Sequence, residues 1–433
     1  MQVQKPRQIA YRVLARHKQS GAFVDSLLDA ELENCVLSPA DRHLVQELVY
    51  GCVRWRATLD WLIRKKAPGR QRSEVGILLQ LGLYQMFWLS RIPDHAAVNE
   101  TVQLARECGL GAHAGFINAV LRAYARERKS TIDSIEKLKT QDPALGWSHP
   151  SWLVDRWVQR LGRQNAIALL EWNNKPPRTF ARVNTLKTDA ATLAELWKKE
   201  GVEASLCRFD WVPDGTVFEL LSHPPLAGLD SFAKGFFYIQ DPSTLLAVHV
   251  LKPQPGESVA DVCAAPGGKT TYIGQLMNNT GQLAAFDPAH DRLARLRVNC
   301  GRLGVKCSIA EVPKPGQQFD RVLADVPCSN TGVLRRRVEL RWRIQPGDFT
   351  KFQEVQLKLL LEASELVRKG GTLVYSTCSL EPEENRSVVD SFIARARRFT
   401  LVEDRQLTPF ADGVDGAYVA RFVCDSTPGV SPG

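Results

Sequence analysis

The sequence predicts an all-helical first third, a small α+β segment and then a doubly wound, mostly parallel α/β domain. Three observations predict it. Apolar residues recur at helical spacing through residues 1–130, short alternating stretches broken by proline pairs follow, and beyond residue 255 strand and helix patterns alternate. A chain of 433 residues exceeds one ordinary core, so two or three domains are expected. The boundaries expected are 1–135, 136–245 and 246–433.

In the first third, Ile9, Val13 and Leu14 share one helical face, and Phe23, Leu27, Leu28 and Leu32 share the next. Leu44, Leu48 and Val49 continue the pattern, as do Leu59, Leu62 and Ile63. Ser38 and Asp41 suit the cap of a helix beginning near Asp41. The run Ile77 to Leu89 is apolar on nearly all sides, the mark of a central buried helix. From about 145 to 245, residues 179–184 and 236–239 read as strands, punctuated by Pro176-Pro177 and Pro224-Pro225. Further on, strands are expected at 258–262, 283–286, 307–310, 321–324 and 372–376, with a well-patterned helix over 352–367. Such a sheet holds its ligand beyond the carboxyl ends of its strands. The tail after Thr427 reads as disordered.

With 44% apolar and 24% charged residues, the chain has the composition of a soluble globular protein. Its apolar runs fall short of the ~18–20 residues of a membrane span, and no signal-peptide pattern opens it. Ten cysteines show no CxxC pair, and eight histidines no HExxH, so a reduced cytoplasmic protein without a metal is expected. The net charge is +9, and residues 1–130 carry 19 Lys and Arg against 12 Asp and Glu. Charge alone leaves two readings open, a polyanionic partner such as nucleic acid or a merely soluble basic surface.

The segment VADVCAAPGGKTT (Val259 to Thr271) reads as a strand, a glycine turn and a helix start. Pro266, Gly267 and Gly268 let the backbone turn sharply and approach a ligand. The helix beginning near Lys269 presents free N–H groups to it. Asp287 ends the next strand, 26 residues after Asp261, where a carboxylate accepts ribose hydroxyls. With neither GxGxxG nor the full Walker GxxxxGK[ST], NAD and ATP lose ground to S-adenosyl-L-methionine.

Two cysteines follow predicted strand ends, Cys328 in DVPCSNTG and Cys378 in VYSTCSLEPEEN. A lone buried cysteine is usually a small core residue. Two of them on the ligand side, amid small polar residues, shift the reading to chemistry on an electron-poor ring. Cytosine C5 attacks a methyl sulfonium poorly until a thiolate adds to C6 and turns the ring into an enamine; a base then takes the C5 proton. Either cysteine suits the nucleophile, and Asp325 lies three residues before Cys328 for the pyrimidine edge.

These motifs resemble the Sun/RsmB family, also called Fmu, of bacterial ribosomal RNA 5-methylcytosine methyltransferases. CAAPGGKT, DVPCSNTG and STCSLEPEEN match its cofactor, Pro-Cys and Thr-Cys motifs. HPSW, RVNTLK and IQDPST match upstream segments, and LVQELVYGCVRW, GLYQMFWLSRIPDHAAVNETV and GFINAVLR resemble its NusB-like helical RNA-binding domain. The resemblance implies a Rossmann-like class I methyltransferase domain preceded by that helical domain and a small α+β linker. It makes Cys378 the nucleophile and Cys328 the resolving cysteine, with Asp325 and Lys269 beside them. The DNA enzymes use the Pro-Cys thiol, so sequence alone leaves the order of the two open. It also implies that Cys263, Ala264, Ala265, Pro266, Gly267, Gly268 and Lys269 line the methionine end of S-adenosyl-L-methionine. Asp287 with Arg292 would meet the ribose side, and Asp325 the boundary of cofactor and base.

Several positions depart from the family pattern. Where a Gly-Asp pair normally meets adenine, the chain reads CSIAEVPKPG, leaving Glu311 as the acid in place. The usual Gly after PCS is Asn330, the usual RHP is Arg337-Val338 after Arg335-Arg336, and a common Gly-Phe-Phe is Gly416-Ala417-Tyr418. Arg335, Arg336, Arg337, Arg341 and Trp342 suit phosphate contacts and base stacking, the bland alternative being a solvated loop with a core tryptophan. Arg182 and Asn184 of RVNTLK join this RNA-binding group. Arg64, Lys65 and Lys66 with Arg70 and Arg72 form either a second phosphate contact or a charged turn. The expected function is methylation of a cytosine C5 in small-subunit (16S) ribosomal RNA by a cytoplasmic monomer, before or early in assembly, with no membrane and no metal. The rivals are a catalytically silent RNA-binding assembly factor and a transfer RNA methyltransferase.

Overall fold

The computed structural model describes residues 5–33 and 35–425, so the tail after Thr427 lies outside the described residues. The chain divides into two compact units, one running to Lys175 and including Arg337–Arg343, the other holding Pro176–Arg336 and the residues from Ile344 onward. The segment expected as one linker, 136–245, is therefore shared: its helices up to Asn174 lie in the first unit, its sheet and the helix Ala190–Glu200 in the second.

The first unit is helical: α1 (Pro6–Ser20), α2 (Val24–Glu33), α3 (Pro39–Arg54), α4 (Arg56–Lys66), α5 (Ser73–Trp88), α6 (Asp94–Glu107), α7 (Ala114–Arg126), α8 (Arg128–Gln141), α9 (Pro143–Gly146), α10 (Ser151–Leu161) and α11 (Arg163–Asn174). Ser38 caps α3, its Oγ accepting from the Asp41 N–H at 3.1 Å. Proline opens that helix where its missing N–H costs nothing. Helix α5 buries residues on nearly every side, including Ile77, Leu78, Leu79, Leu81 and Leu83, as its apolar run predicts. Val338, from the returning segment, joins this unit's core.

The second unit holds two sheets. Strands β1 (Thr179–Val183), β2 (Glu203–Phe209), β3 (Val212–Ser222) and β4 (Phe237–Ile239) pair antiparallel in the order β2-β3-β1-β4. Helix α12 (Ala190–Glu200) covers them, Trp197 meeting Phe218 and Phe237 edge-on. The larger sheet comprises β5 (Ser258–Val262), β6 (Gln282–Phe286), β7 (Ser308–Ala310), β8 (Phe319–Asp325), β9 (Val367–Thr377), β10 (Phe399–Leu407) and β11 (Ala417–Cys424). Its order is β10-β11-β9-β8-β5-β6-β7, parallel from β9 to β7 and antiparallel at β11 and β10.

Both faces of this sheet are covered. Val259, Leu283, Ala285, Leu323 and Val374 enter one core, while Ala260, Ala284, Phe286, Val322 and Tyr375 enter the other, the period-2 alternation of a strand buried on both sides. Strand order reverses between β5 and β8, which opens a crevice at their carboxyl ends. Among the described residues, no helix is long and apolar enough to cross a membrane.

Candidate active site

Three neighbouring strands, β5, β8 and β9, deliver the candidate residues. After β5 the backbone turns through Cys263, at φ 63, to Gly267, at φ 104. That φ demands glycine, and a Cβ there would also meet the end of the Leu296 side chain, Cδ1, at 2.6 Å. The helix Gly268–Leu276 then begins. Asp287, after β6, is fully buried and accepts from the Ala265 and Ala289 N–H groups, each at 3.1 Å. Arg292 reaches the same carboxylate at 3.4 Å and donates to the Ala265 carbonyl at 2.7 Å. The residues expected around the cofactor thus form one interlocked loop.

At the end of β8, Asp325 accepts from Lys269 Nζ at 2.6 Å and from Ser376 Oγ at 2.5 Å. Burial pulls the Lys269 ammonium down, but the charge and hydrogen bond of Asp325 outweigh it and hold the ammonium above its ordinary range. Asp261 is buried and pushed up to about 7 by desolvation, against a hydrogen bond from Thr270 at 2.6 Å; its other oxygen has no partner among the described residues.

The two cysteines meet. Cys328 Sγ lies 3.1 Å from Cys378 Sγ, although the residues are 50 apart in sequence. Cys328 is buried, and its hydrogen bond with Cys378, then desolvation, push its thiol well above the ordinary range. Cys378 Sγ is 3.0 Å from Asn330 Oδ1. Beneath them Glu384 accepts from the Ser329 N–H at 2.8 Å, from Gln356 Nε2 at 2.9 Å, from Ser379 Oγ at 2.7 Å and from Ser329 Oγ. One carboxylate therefore ties the residue after Cys328 to the residue after Cys378.

Comparison with known proteins accords with this arrangement. The 16S rRNA methyltransferase RsmB/F model matches residues 248–423, the NusB family model 4–126, and a ferredoxin-like domain model of RsmF/B-like methyltransferases 149–219. A probable ribosomal RNA small subunit methyltransferase B of Bacillus subtilis (strain 168) is 36% identical over 447 residues, 96% of this chain and 98% of that protein. The chain belongs to the RsmB/Sun methyltransferase family. A probable ribosomal RNA small subunit methyltransferase B of Synechocystis sp. (strain ATCC 27184 / PCC 6803 / Kazusa) is 37% identical, covering 89% of this chain and 88% of the relative. Among solved structures, a methyltransferase homolog protein from Pyrococcus horikoshii matches at 32% identity and TM-score 0.58, over 65% of this chain and 98% of that one. The crystal structure of PH0851 shares the fold at TM-score 0.77 and 22% identity, covering 97% of this chain and 99% of that one.

As in RsmB/Sun methyltransferases generally, S-adenosyl-L-methionine is the cofactor. The residues fit it: a cationic ligand with hydroxyl and ammonium donors suits a strand-end cluster of Asp261, Asp287 and Asp325, and the orphaned oxygen of Asp261 lacks only a donor. Glu311, just past β7, is exposed and lies 3.0 Å from His290 Nδ1.

Most side chains expected to hold RNA are occupied within the protein instead. Arg335 is buried and bonds Asp415 at 2.5 Å and Asp241 at 3.2 Å; Arg336 bonds the same two acids. Arg341 is fully buried, donating to Asn174 Oδ1 at 2.7 Å and to the Asn173 and Ser148 carbonyls. Trp342 packs on the helical core and donates to the Val53 carbonyl at 2.8 Å, so the core alternative holds for it. Arg182 is buried on Gly268 O and Thr271 Oγ1, and Asn184 on the Gly235 and Leu303 carbonyls. These groups correct the expectation for a physical reason: buried guanidinium and amide groups demand internal acceptors, and among the described residues they have them for every group but Arg182 Nε and Arg341 Nε. Arg337 alone of the set is exposed.

Sequence reasoning did not assign Glu384 or a role for Asn330. The acid-rich LEPEEN run was a usable sign, since an acid six residues after a strand-end cysteine is placed to fold back beneath it.

Proposed function

We propose that the chain methylates C5 of a cytosine in 16S ribosomal RNA through a covalent adduct between Cys378 and C6. The observation that carries this reading is the 3.1 Å approach of the two thiols beside the Lys269–Asp325 pair. When bound, the cofactor supplies an electrophilic methyl group. Cys378 Sγ bonds to C6, the C5=C6 π bond opens, and its electron pair becomes available at C5. Asp325, fixed by Lys269 and Ser376, accepts from the N4 amino group of the ring, and the Lys269 ammonium beside it offsets the negative charge that thiolate addition develops at N3. Release requires loss of the C5 proton as the C6–S bond breaks and its electrons return to Cys378. Cys328, once it has released its own proton to solvent, suits the group that takes the C5 proton and ends the cycle as the thiol, because its surroundings favour the protonated form.

Cys378→Ala should abolish methyl transfer to RNA, and Cys328→Ala should accumulate an RNA–protein adduct that survives denaturing electrophoresis. An adduct with Cys378→Ala and none with Cys328→Ala would exchange the two roles. Turnover undiminished in both would remove the covalent mechanism. The cytosine itself is identified by bisulfite sequencing of ribosomal RNA from a deletion strain; an unchanged 16S pattern with a lost transfer RNA site would move the substrate.

A further inference from the structure

Asn330 stands where the family resemblance leads one to expect glycine, and the backbone explains half of the exchange. Its φ is 61°, a left-handed conformation that asparagine tolerates better than other side chains. A glycine would satisfy that backbone equally well, so conformation does not account for the carboxamide. Contacts do. Asn330 Nδ2 donates to the Cys328 carbonyl at 2.7 Å, and Oδ1 accepts from Cys378 Sγ at 3.0 Å. One planar group therefore spans from the backbone of one cysteine to the side chain of the other.

We propose that Asn330 is a positioning residue for the nucleophile, holding the Cys378 thiol against Cys328 until substrate enters. The inference rests on Cys378 being the nucleophile. A cysteine side chain has one rotatable torsion before its sulfur, with three staggered wells. The Asn330 oxygen and the Cys328 sulfur, at 3.0 and 3.1 Å, together select one of them. The carboxamide is itself oriented by its donation to the Cys328 carbonyl, so it does not follow the thiol wherever it turns. Rotation of Cys378 towards C6 exchanges the Asn330 contact for the new bond and leaves the carboxamide beside the adduct.

The test uses Asn330→Gly, which keeps the left-handed backbone unstrained, and Asn330→Asp, which keeps the acceptor and adds a charge. In Asn330→Gly, kcat for RNA methylation should fall about tenfold with KM nearly unchanged, since a misplaced reacting atom costs rate rather than binding. Cross-linking of Cys328 to Cys378 by diamide, which takes two hydrogens from the thiols, should slow because the sulfurs spend less time in contact. In Asn330→Asp, the acid limb of the rate profile should move to higher pH, because a neighbouring negative charge disfavours the thiolate. A purely structural role for Asn330 moves neither the cross-linking rate of the folded glycine variant nor the pH profile. Parent rates in both assays for Asn330→Gly, with Cys378→Ala inactive, overturn the inference and leave the covalent mechanism standing. If Cys378→Ala is fully active, the covalent mechanism and this inference fall together, and slowed cross-linking in Asn330→Gly would then show only that the carboxamide holds the two thiols in contact.

Discussion

A carboxyl group sealed at a strand end sets a conflict between ligand binding and stability, and Asp261 is in that position. Burial raises it from the ordinary 3.8 to about 7. The folded state therefore binds this proton more tightly than the unfolded chain does, and the resulting stabilisation is full below about pH 4 and lost as pH rises through 7. Each tenfold difference in proton affinity between the two states is worth about 1.4 kcal/mol. Asp261→Asn removes the titration while keeping an acceptor for Thr270. Its urea midpoint without cofactor should exceed the parent's at pH 8 and fall less between pH 5 and pH 8. A steeper fall than the parent's would place the proton elsewhere. Glu384 is also raised by burial, but its serine and glutamine donors favour the charged form. Glu384→Gln would face those donors with an amide N–H, costing about 1–3 kcal/mol and loosening both cysteine loops. At this scale the sequence shows the reactive atoms, because cysteine after a strand end is a rare local pattern. It does not show Glu384 or Asn330, whose partners across the site, Ser329 and Cys378, lie 48–55 residues away and are set only by strand order.

Strand ends give the cysteines their direction, and two glycines hold those ends together. Gly332 N–H donates to the Cys378 carbonyl at 3.0 Å, and Gly416 N–H donates to the Gly332 carbonyl at 2.8 Å. A Cβ on Gly332 would come within 2.7 Å of the Cys378 oxygen and 2.8 Å of Gly416 Cα, both backbone atoms with no flexible end to yield. Gly332→Ala should therefore displace the Cys378 loop and cut methyl transfer by about a hundredfold, with the far-ultraviolet circular dichroism unchanged. Parent activity would show that the loop accommodates the methyl group freely. The parallel strands were legible because burial on both faces leaves short apolar runs: the expected 258–262 coincides with β5 (Ser258–Val262), and the other four lie within or across β6 to β9. Strands β10, β11 and the β2–β3 hairpin were not, since β2 buries no residue fully and β10 only its two ends, with no regular period-2 alternation in either. The helix expected over 352–367 begins at Asp348 instead, where Asp348 Oδ2 accepts from the Gln345 N–H.

For the whole molecule the open question is which cations meet RNA, and the internal bonding of Arg335, Arg336 and Arg341 narrows it. A guanidinium already paired with Asp241 or Asp415 neutralises no phosphate and releases no counterion. The excess of 19 Lys and Arg over 12 Asp and Glu in residues 1–130 must then act from exposed positions. Between α4 and α5, Arg64, Arg70 and Arg72 are exposed, while Lys66 is spent on Glu127 at 2.6 Å and Lys65 lies over the Trp61 ring. Among the described residues, Arg64, Arg70 and Arg72 form no ion pair, so this turn is one part of the basic excess that a phosphate backbone finds uncompensated. Arg70→Glu with Arg72→Glu should weaken RNA binding across unrelated sequences. The slope of log affinity against log salt should become shallower by about 0.9 for each phosphate the variant no longer neutralises on a duplex, or ~0.7 on a single strand. Cofactor affinity, measured by calorimetry, should not change, which separates weakened docking from misfolding. An unaltered slope in the double variant would make the cluster a charged turn and assign the phosphate binding to other exposed cations, Arg337 among them.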